Sequence, residues 1–81
     1  MFALFLPMSA KKIEQDVNGE VEFYHNRKEY GFINSEEHDE DFMFTDVNLS
    51  DNIDEGDAVV FDVMNNYGED DERRAVNVRS S

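Results

Sequence analysis

Lys28-Glu29-Tyr30-Gly31-Phe32-Ile33, read with Gly19-Glu20-Val21-Glu22-Phe23-Tyr24 just before it, decides the fold. Tyr30 and Phe32 are two residues apart, so on a β-strand both project from one face. The glycine between them is expected to leave that face open to flat ligands. Val21 and Ile33 supply aliphatic side chains for the opposite side. A buried core rarely needs aromatics on one face and aliphatics on the other, whereas a platform for stacking nucleobases does.

Outward from this stretch, short alternating runs are separated by turn signals. Residues 19–25 are expected as a first strand, with Val21 and Phe23 on one side and Glu20, Glu22 and Tyr24 on the other. Residues 29–34 form a second. Residues 41–45 form a third, with Phe42 and Phe44 on the core face and Met43 and Thr45 opposite. Residues 58–64 form a fourth, turning Val59, Phe61 and Val63 inward, and residues 73–79 a fifth, with Val76 and Val78 as core candidates. Gly56 marks a tight turn in the polar connection over 48–57, and residues 65–72 are expected as a long, acidic, mobile loop. Five short strands with no convincing helix predict an all-β, small closed barrel, an arrangement that also removes exposed sheet edges.

The chain has 81 residues and no cysteine, which allows one modest core, no disulfide framework and no thiolate metal site. Its 20 acidic residues outweigh 7 basic ones for a net charge of −13. Self-repulsion on that scale opposes compaction in dilute buffer. A salt-rich cytoplasm would mute it, because the Debye length falls to about 3 Å at 1 M. The other reading is an acidic mimic of nucleic acid, or a surface for a basic protein partner. The acids are spread along the chain rather than gathered in a tail, which favours adaptation to salt. Residues 1–17 are expected as a flexible N-terminal extension and residues 18–81 as the folded domain. Within the extension, Met1 to Met8 is apolar but far shorter than the roughly 20 residues of a membrane span. Met8-Ser9-Ala10 reads as an alternative start, with residues 1–7 arising from an upstream initiator, and residues 11–17 read as a polar linker with a helical turn.

The strand motifs together resemble the cold-shock domain family. Gly19-x-Val21-x-Phe23-Tyr24 is similar to its opening strand, and Lys28-x-Tyr30-Gly31-Phe32-Ile33 to its first ribonucleoprotein motif. Asp41-Phe42-Met43-Phe44 stands where the second such motif belongs, Ile53-Asp54-Glu55-Gly56-Asp57 resembles the turn into strand four, and Ala75-x-Asn77-Val78 the closing strand. The resemblance covers residues 19–79. It implies a five-stranded antiparallel barrel of the oligonucleotide-binding (OB) type, to which the residues before 18 add a short extra N-terminal segment. It also implies binding of single-stranded RNA or DNA and melting of unwanted RNA structure. By position, Phe23, Tyr24, Tyr30 and Phe32 match the stacking aromatics and Lys28 a basic contact. The acid-rich style is similar to haloarchaeal versions. Several positions depart from the pattern. Glu20 and Glu22 replace lysines, and Glu29 replaces a glycine. Met43 replaces an aromatic, Thr45 a histidine and Asp46 a phenylalanine.

The expected nucleic-acid-binding residues are Phe23, Tyr24, His25, Lys28, Tyr30, Phe32 and Met43. His25 enters because it falls in the turn beside the aromatics, although a solvated turn histidine is the blander reading; His38 is isolated. No nitrogen or thiolate pair has ligand spacing, and Asp51 to Asp57 lacks the alternation of a calcium loop, so neither metal nor cofactor is expected. Asn48-Leu49-Ser50 fits a glycosylation sequon by chance. Arg73, Arg74 and Arg79 can reach a backbone phosphate or pair with neighbouring acids. With no nucleophile–base arrangement, no enzyme is expected. The expected protein is a cytoplasmic monomer acting as an RNA chaperone. The alternative is a protein-interaction module whose nucleic-acid face has decayed.

Overall fold

The computed structural model describes residues 11–67 and 72–81. Five strands follow in order: β1 (Lys11–His25), β2 (Tyr30–Asn34), β3 (Asp41–Thr45), β4 (Ala58–Tyr67) and β5 (Glu72–Ser80), with one 3-10 turn over Asp46–Asn48. They close into a barrel in the order β1-β2-β3-β5-β4. The first half of β1 pairs with β4 and the second half with β2, so one long strand joins both sides of the barrel. All pairings are antiparallel except β3 with β5, which run parallel through Met43 and Arg74. The purely antiparallel expectation is corrected at that one seam.

Val21, Ile33, Phe42, Phe44, Val59, Phe61, Val63 and Val78 fill the interior, and Ala75 joins them. Each fully buried phenylalanine contributes about 1.5–3 kcal/mol by leaving water. β3 alternates as expected, Phe42 and Phe44 inside and Met43 and Thr45 half-buried outside.

β1 departs from expectation twice. Residues 11–17, read as a linker with a helical turn, are strand, and Val17 is fully buried. Two register shifts against β4 break the alternation there and hide the strand in a polar sequence. The second departure is a β-bulge. Val21 faces Ile33, but Phe23 faces Phe32, the next residue along β2, so Glu22 is the extra residue. The bulge reverses the parity of everything after it. Val21 points in, Glu22 and Phe23 are exposed, and Tyr24 packs against the core. Phe23 therefore does not share a side with Val21.

The turn Asp54–Asp57 clamps this bulge from the other side. Gly56 adopts φ +91, and its N–H donates to the Val21 carbonyl at 2.8 Å, while the Val21 N–H donates to the Asp57 carbonyl at 2.9 Å. A further clamp is Asp62, 2% exposed. It accepts the Asp16 N–H at 3.0 Å and the Asn77 side-chain amide at 3.3 Å, tying together two positions with left-handed backbone on β1 and β5. Asn65 to Tyr67, expected in the mobile loop, extend β4. The rest of that loop, residues 68–71, and the alternative start at Met8 lie outside the described residues.

Candidate nucleic-acid interface

Three cross-strand rungs cover the outer face of β1, β2 and β3. The first is His25, Tyr30 and Thr45; the second is Phe23, Phe32 and Met43; the third is Glu20, Asn34 and Asp41. The first two rungs carry the rings. Phe23 is the hub: its ring centroid lies 5.7 Å from Tyr30, 6.4 Å from Phe32 and 6.3 Å from His25. Tyr30 meets Phe32 edge-on at 6.0 Å and lies nearly parallel to His25 at 6.2 Å. At 37% exposure, Phe23 is one of two large hydrophobic side chains standing out in water among the described residues. The other is Val47, at the tip of the 3-10 turn.

His25 belongs to this cluster because the β1–β2 turn holds it. The Lys28 N–H donates to His25 Nδ1 at 3.2 Å and the Glu29 N–H to the His25 carbonyl at 2.8 Å. Lys28 itself is exposed in that turn. Glu29, where the resemblance wants glycine, adopts φ 60, a region that favours glycine or asparagine.

Two residues sit differently from the expectation drawn from the sequence. Tyr24 turns toward the core, stacks on Phe44 at 5.8 Å and donates its hydroxyl to Asp46 Oδ1 at 2.6 Å. The bond to Asp46, reinforced by burial, pushes the phenol up to about 12. Tyr24 is thereby separated from the outer rings. Gly31 is buried, and a Cβ there would lie 2.3 Å from the Phe23 carbonyl oxygen and 2.7 Å from Phe44 Cζ. Its smallness thus makes room for Phe44 inside rather than opening the outer face.

The third rung is electrostatically opposite to a phosphate site. Glu22 faces Asp41, whose carboxyl holds the Glu22 carboxyl above its ordinary range, first by a hydrogen bond and then by like charge. Asn34 donates its side-chain amide to Asp41 at 3.1 Å. A separate groove of about 820 Å³ at one barrel end is lined by Tyr24, Leu49 and Asp46, Asp51 and Asp54, among others. Its three carboxyls make it a poor host for an anion. Sequence reasoning missed both the Glu22–Asp41 and Tyr24–Asp46 pairs, because each joins β1 to β3 or to the turn after it, and only the bulge and the β1-β2-β3 pairing bring those residues together.

Arg73 pairs with Glu40 and lies 5.4 Å over the Phe42 ring, and Arg79 pairs with Asp16. Among its contacts, Arg74 donates to Asn48 Oδ1 at 3.3 Å. His38 Nε2 lies 3.0 Å from Glu14 Oε1. Among the described residues no group of three or more His, Cys, Asp or Glu could hold a metal ion, and no helix is long and apolar enough to cross a membrane.

The family model described as 'Cold-shock' DNA-binding domain matches residues 17–81. No curated protein matches the chain.

Proposed function

Because this chain belongs to the cold-shock DNA-binding domain family, we propose that it binds single-stranded RNA or DNA by stacking bases on its outer rings. The observation that carries the proposal is the contiguous cluster of Phe23, Tyr30, Phe32 and His25, half-buried or exposed on one face. Phe23, Tyr30 and Phe32 supply the stacking planes. Met43 extends the second rung as a soft contact, and Lys28 meets the backbone from the turn. Tyr24 acts indirectly, by holding Phe44 and Asp46 behind the face.

Stacking is worth about 1–3 kcal/mol per base and does not depend on charge. Counterion release, the main source of affinity in ordinary nucleic-acid binders, fades as salt rises. A protein of net charge −13 gains little from that source in any case. Relying on rings therefore suits a salt-rich cytoplasm, where repulsion by Glu20 and Glu22 is screened. Weak, sequence-tolerant capture of unpaired bases is the activity of an RNA chaperone: it drains hairpins toward their open state.

Titration with a short thymidine oligonucleotide in dilute and in molar salt tests this. Binding that persists or strengthens in molar salt is the expected result. An absence of binding at every salt concentration would instead favour a protein-interaction module recruiting a basic partner.

A further inference from the structure

One border of the ring cluster is acidic. One rung from Phe23 and Phe32 stand Glu20, Asn34 and Asp41, with Glu22 in the bulge between. All four residues are exposed, and a shallow cleft of about 170 Å³ opens between Glu20, Glu22 and Asn34. The bulge makes this grouping. It turns Glu22 and Phe23 outward together, so a carboxyl that strict alternation would set on the opposite face lies beside the ring. Asp41 is held in place by the Asn34 amide, which donates to its Oδ1 at 3.1 Å. Glu22 meets that same carboxyl, and two carboxyls share a hydrogen bond only through a proton. The surroundings of the pair are acidic or neutral. β1 contributes Glu20, β2 the uncharged Asn34, and the Asp54–Asp57 turn behind the bulge Glu55, whose Oε1 accepts the Tyr24 N–H at 3.3 Å. Among the described residues none of Glu20, Glu22 and Asp41 has a lysine or arginine partner.

We propose that single-strand binding on the rings is coupled to uptake of one proton by the Glu22–Asp41 pair, so that the face tightens on unpaired bases as the medium is acidified. The inference rests on the stacking reading above and adds its regulation. In the free protein the pair is open to water, which supports charge on it. A strand lying on Phe23 and Phe32 brings phosphates to within about one rung, ~6.7 Å, and covers part of the cleft. Like charge and lost water both favour the protonated pair, and the proton comes from solvent. At 0.1 M salt, one carboxylate and one phosphate at that spacing weaken binding by a factor of about 2 where both face water. The factor is about 9 at the dielectric typical of a protein surface, and at 1 M both fall below about 2. Acid therefore does for this face what salt does, and each removes the need for the other.

The test is the affinity for a short thymidine oligonucleotide as a function of pH. Thymine takes up no proton in mildly acidic solution, so the probe reports the protein alone. From about pH 7.5 to about pH 5 in 0.1 M salt the unaltered chain should bind about 2- to 9-fold more tightly, and in 1 M salt the gain should nearly vanish. Glu22→Gln should bind more tightly than the unaltered chain at the higher pH and lose most of the gain. His25 is the other group of the ring cluster able to take up a proton, and His25→Gln should keep the gain. In the unaltered chain, which needs no variant to fold, the carbon-13 resonance of the Glu22 carboxyl should titrate at a higher pH with the oligonucleotide bound than without it. If the unaltered chain binds but that titration does not move, or Glu22→Gln keeps the full pH dependence, the coupling is overturned and the stacking reading stands. If the unaltered chain binds at no pH and no salt concentration, both fall.

Discussion

Truncating Phe23 to alanine separates binding from folding. The ring is 37% exposed, and its ring neighbours are His25, Tyr30 and Phe32, all on the outer face. Well-packed aromatic pairs are worth about 0.5–1.5 kcal/mol each, and the low end applies to a ring this open, so three of them give a folding cost of about 1–2 kcal/mol. For a domain of this size that lowers the melting temperature by roughly 4–16 °C. Phe44→Ala is the contrast. It empties a fully buried site at a cost of about 3–5 kcal/mol, a large part of the roughly 5–10 kcal/mol that such a domain has. In binding the order reverses. Phe23→Ala removes a stacking plane worth about 1–3 kcal/mol, a loss of about 5- to 150-fold in affinity. Fluorescence anisotropy with a labelled thymidine oligonucleotide in molar salt reads the affinity, and circular dichroism of the same samples confirms the fold. A folded Phe23→Ala variant whose dissociation constant stays within about twofold of the unaltered value, well below one stacking plane, would refute the claim that this ring carries a base.

Three further outcomes follow from the same geometry. The Glu22 carboxyl is held above its ordinary value, so its contribution to stability is present below about pH 4.5 and is lost as pH rises through the raised native value. Glu22→Gln should therefore raise the melting temperature at neutral pH and have little effect in acid, as followed by thermal melts across pH. Glu29 has φ 60, a conformation costing an ordinary L-residue about 1–2 kcal/mol; Glu29→Asn should recover up to about 1 kcal/mol of this, read as a melting temperature higher by several degrees. For Tyr24, whose phenol is raised from 10.0 to about 12, the stabilising bond to Asp46 is intact below pH 10 and lost as pH climbs through about 12. Ultraviolet titration should show this late ionisation, and Tyr24→Phe should cost about 1–2 kcal/mol, since a bond to a charged group is worth about 1.5–3 kcal/mol before discounting for exposure.

How much of this was legible in the sequence depended on where the two-residue period survives. β2 and β3 are short and free of bulges, so Ile33, Phe42 and Phe44 could be placed inside, and Phe32 and Met43 outside, from spacing alone. β1 carries register shifts against both of its neighbours. Strict alternation put Phe23 with Val21 and set Tyr24 opposite, while the family resemblance made both rings stackers. The bulge at Glu22 exposes the first and turns the second, half-buried, against the core. Nothing in Glu22 itself signals an inserted residue. The half of β1 before Val17 was lost for a related reason. In Lys11-Lys12-Ile13-Glu14-Gln15-Asp16 a single apolar residue gives no two-residue period to detect, and backbone pairing to β4 holds the segment in place. Arg74 was legible only as one of three arginines. Its place at the end of the ring row depends on the parallel seam, which no local pattern encodes.

The rungs also set the salt at which the face becomes usable. Successive rungs are two residues apart, about 6.7 Å along a strand. The carboxyls of Glu20 and Asp41 therefore stand one rung from Phe23 and Phe32, with Glu22 in the bulge between. At 0.1 M salt the Debye length of about 10 Å exceeds that spacing, and a phosphate beside the rings is repelled by all three. At 1 M it is about 3 Å, less than half the spacing, and the repulsion no longer reaches. Screening of the acids and loss of the proposed Lys28 contact act in opposite directions as salt rises. The acids are more numerous around the face, so affinity should climb between these two concentrations and then level off, with the plateau set by the rings. A monotonic fall over that range would mean that the cations, not the aromatic rungs, carry the binding.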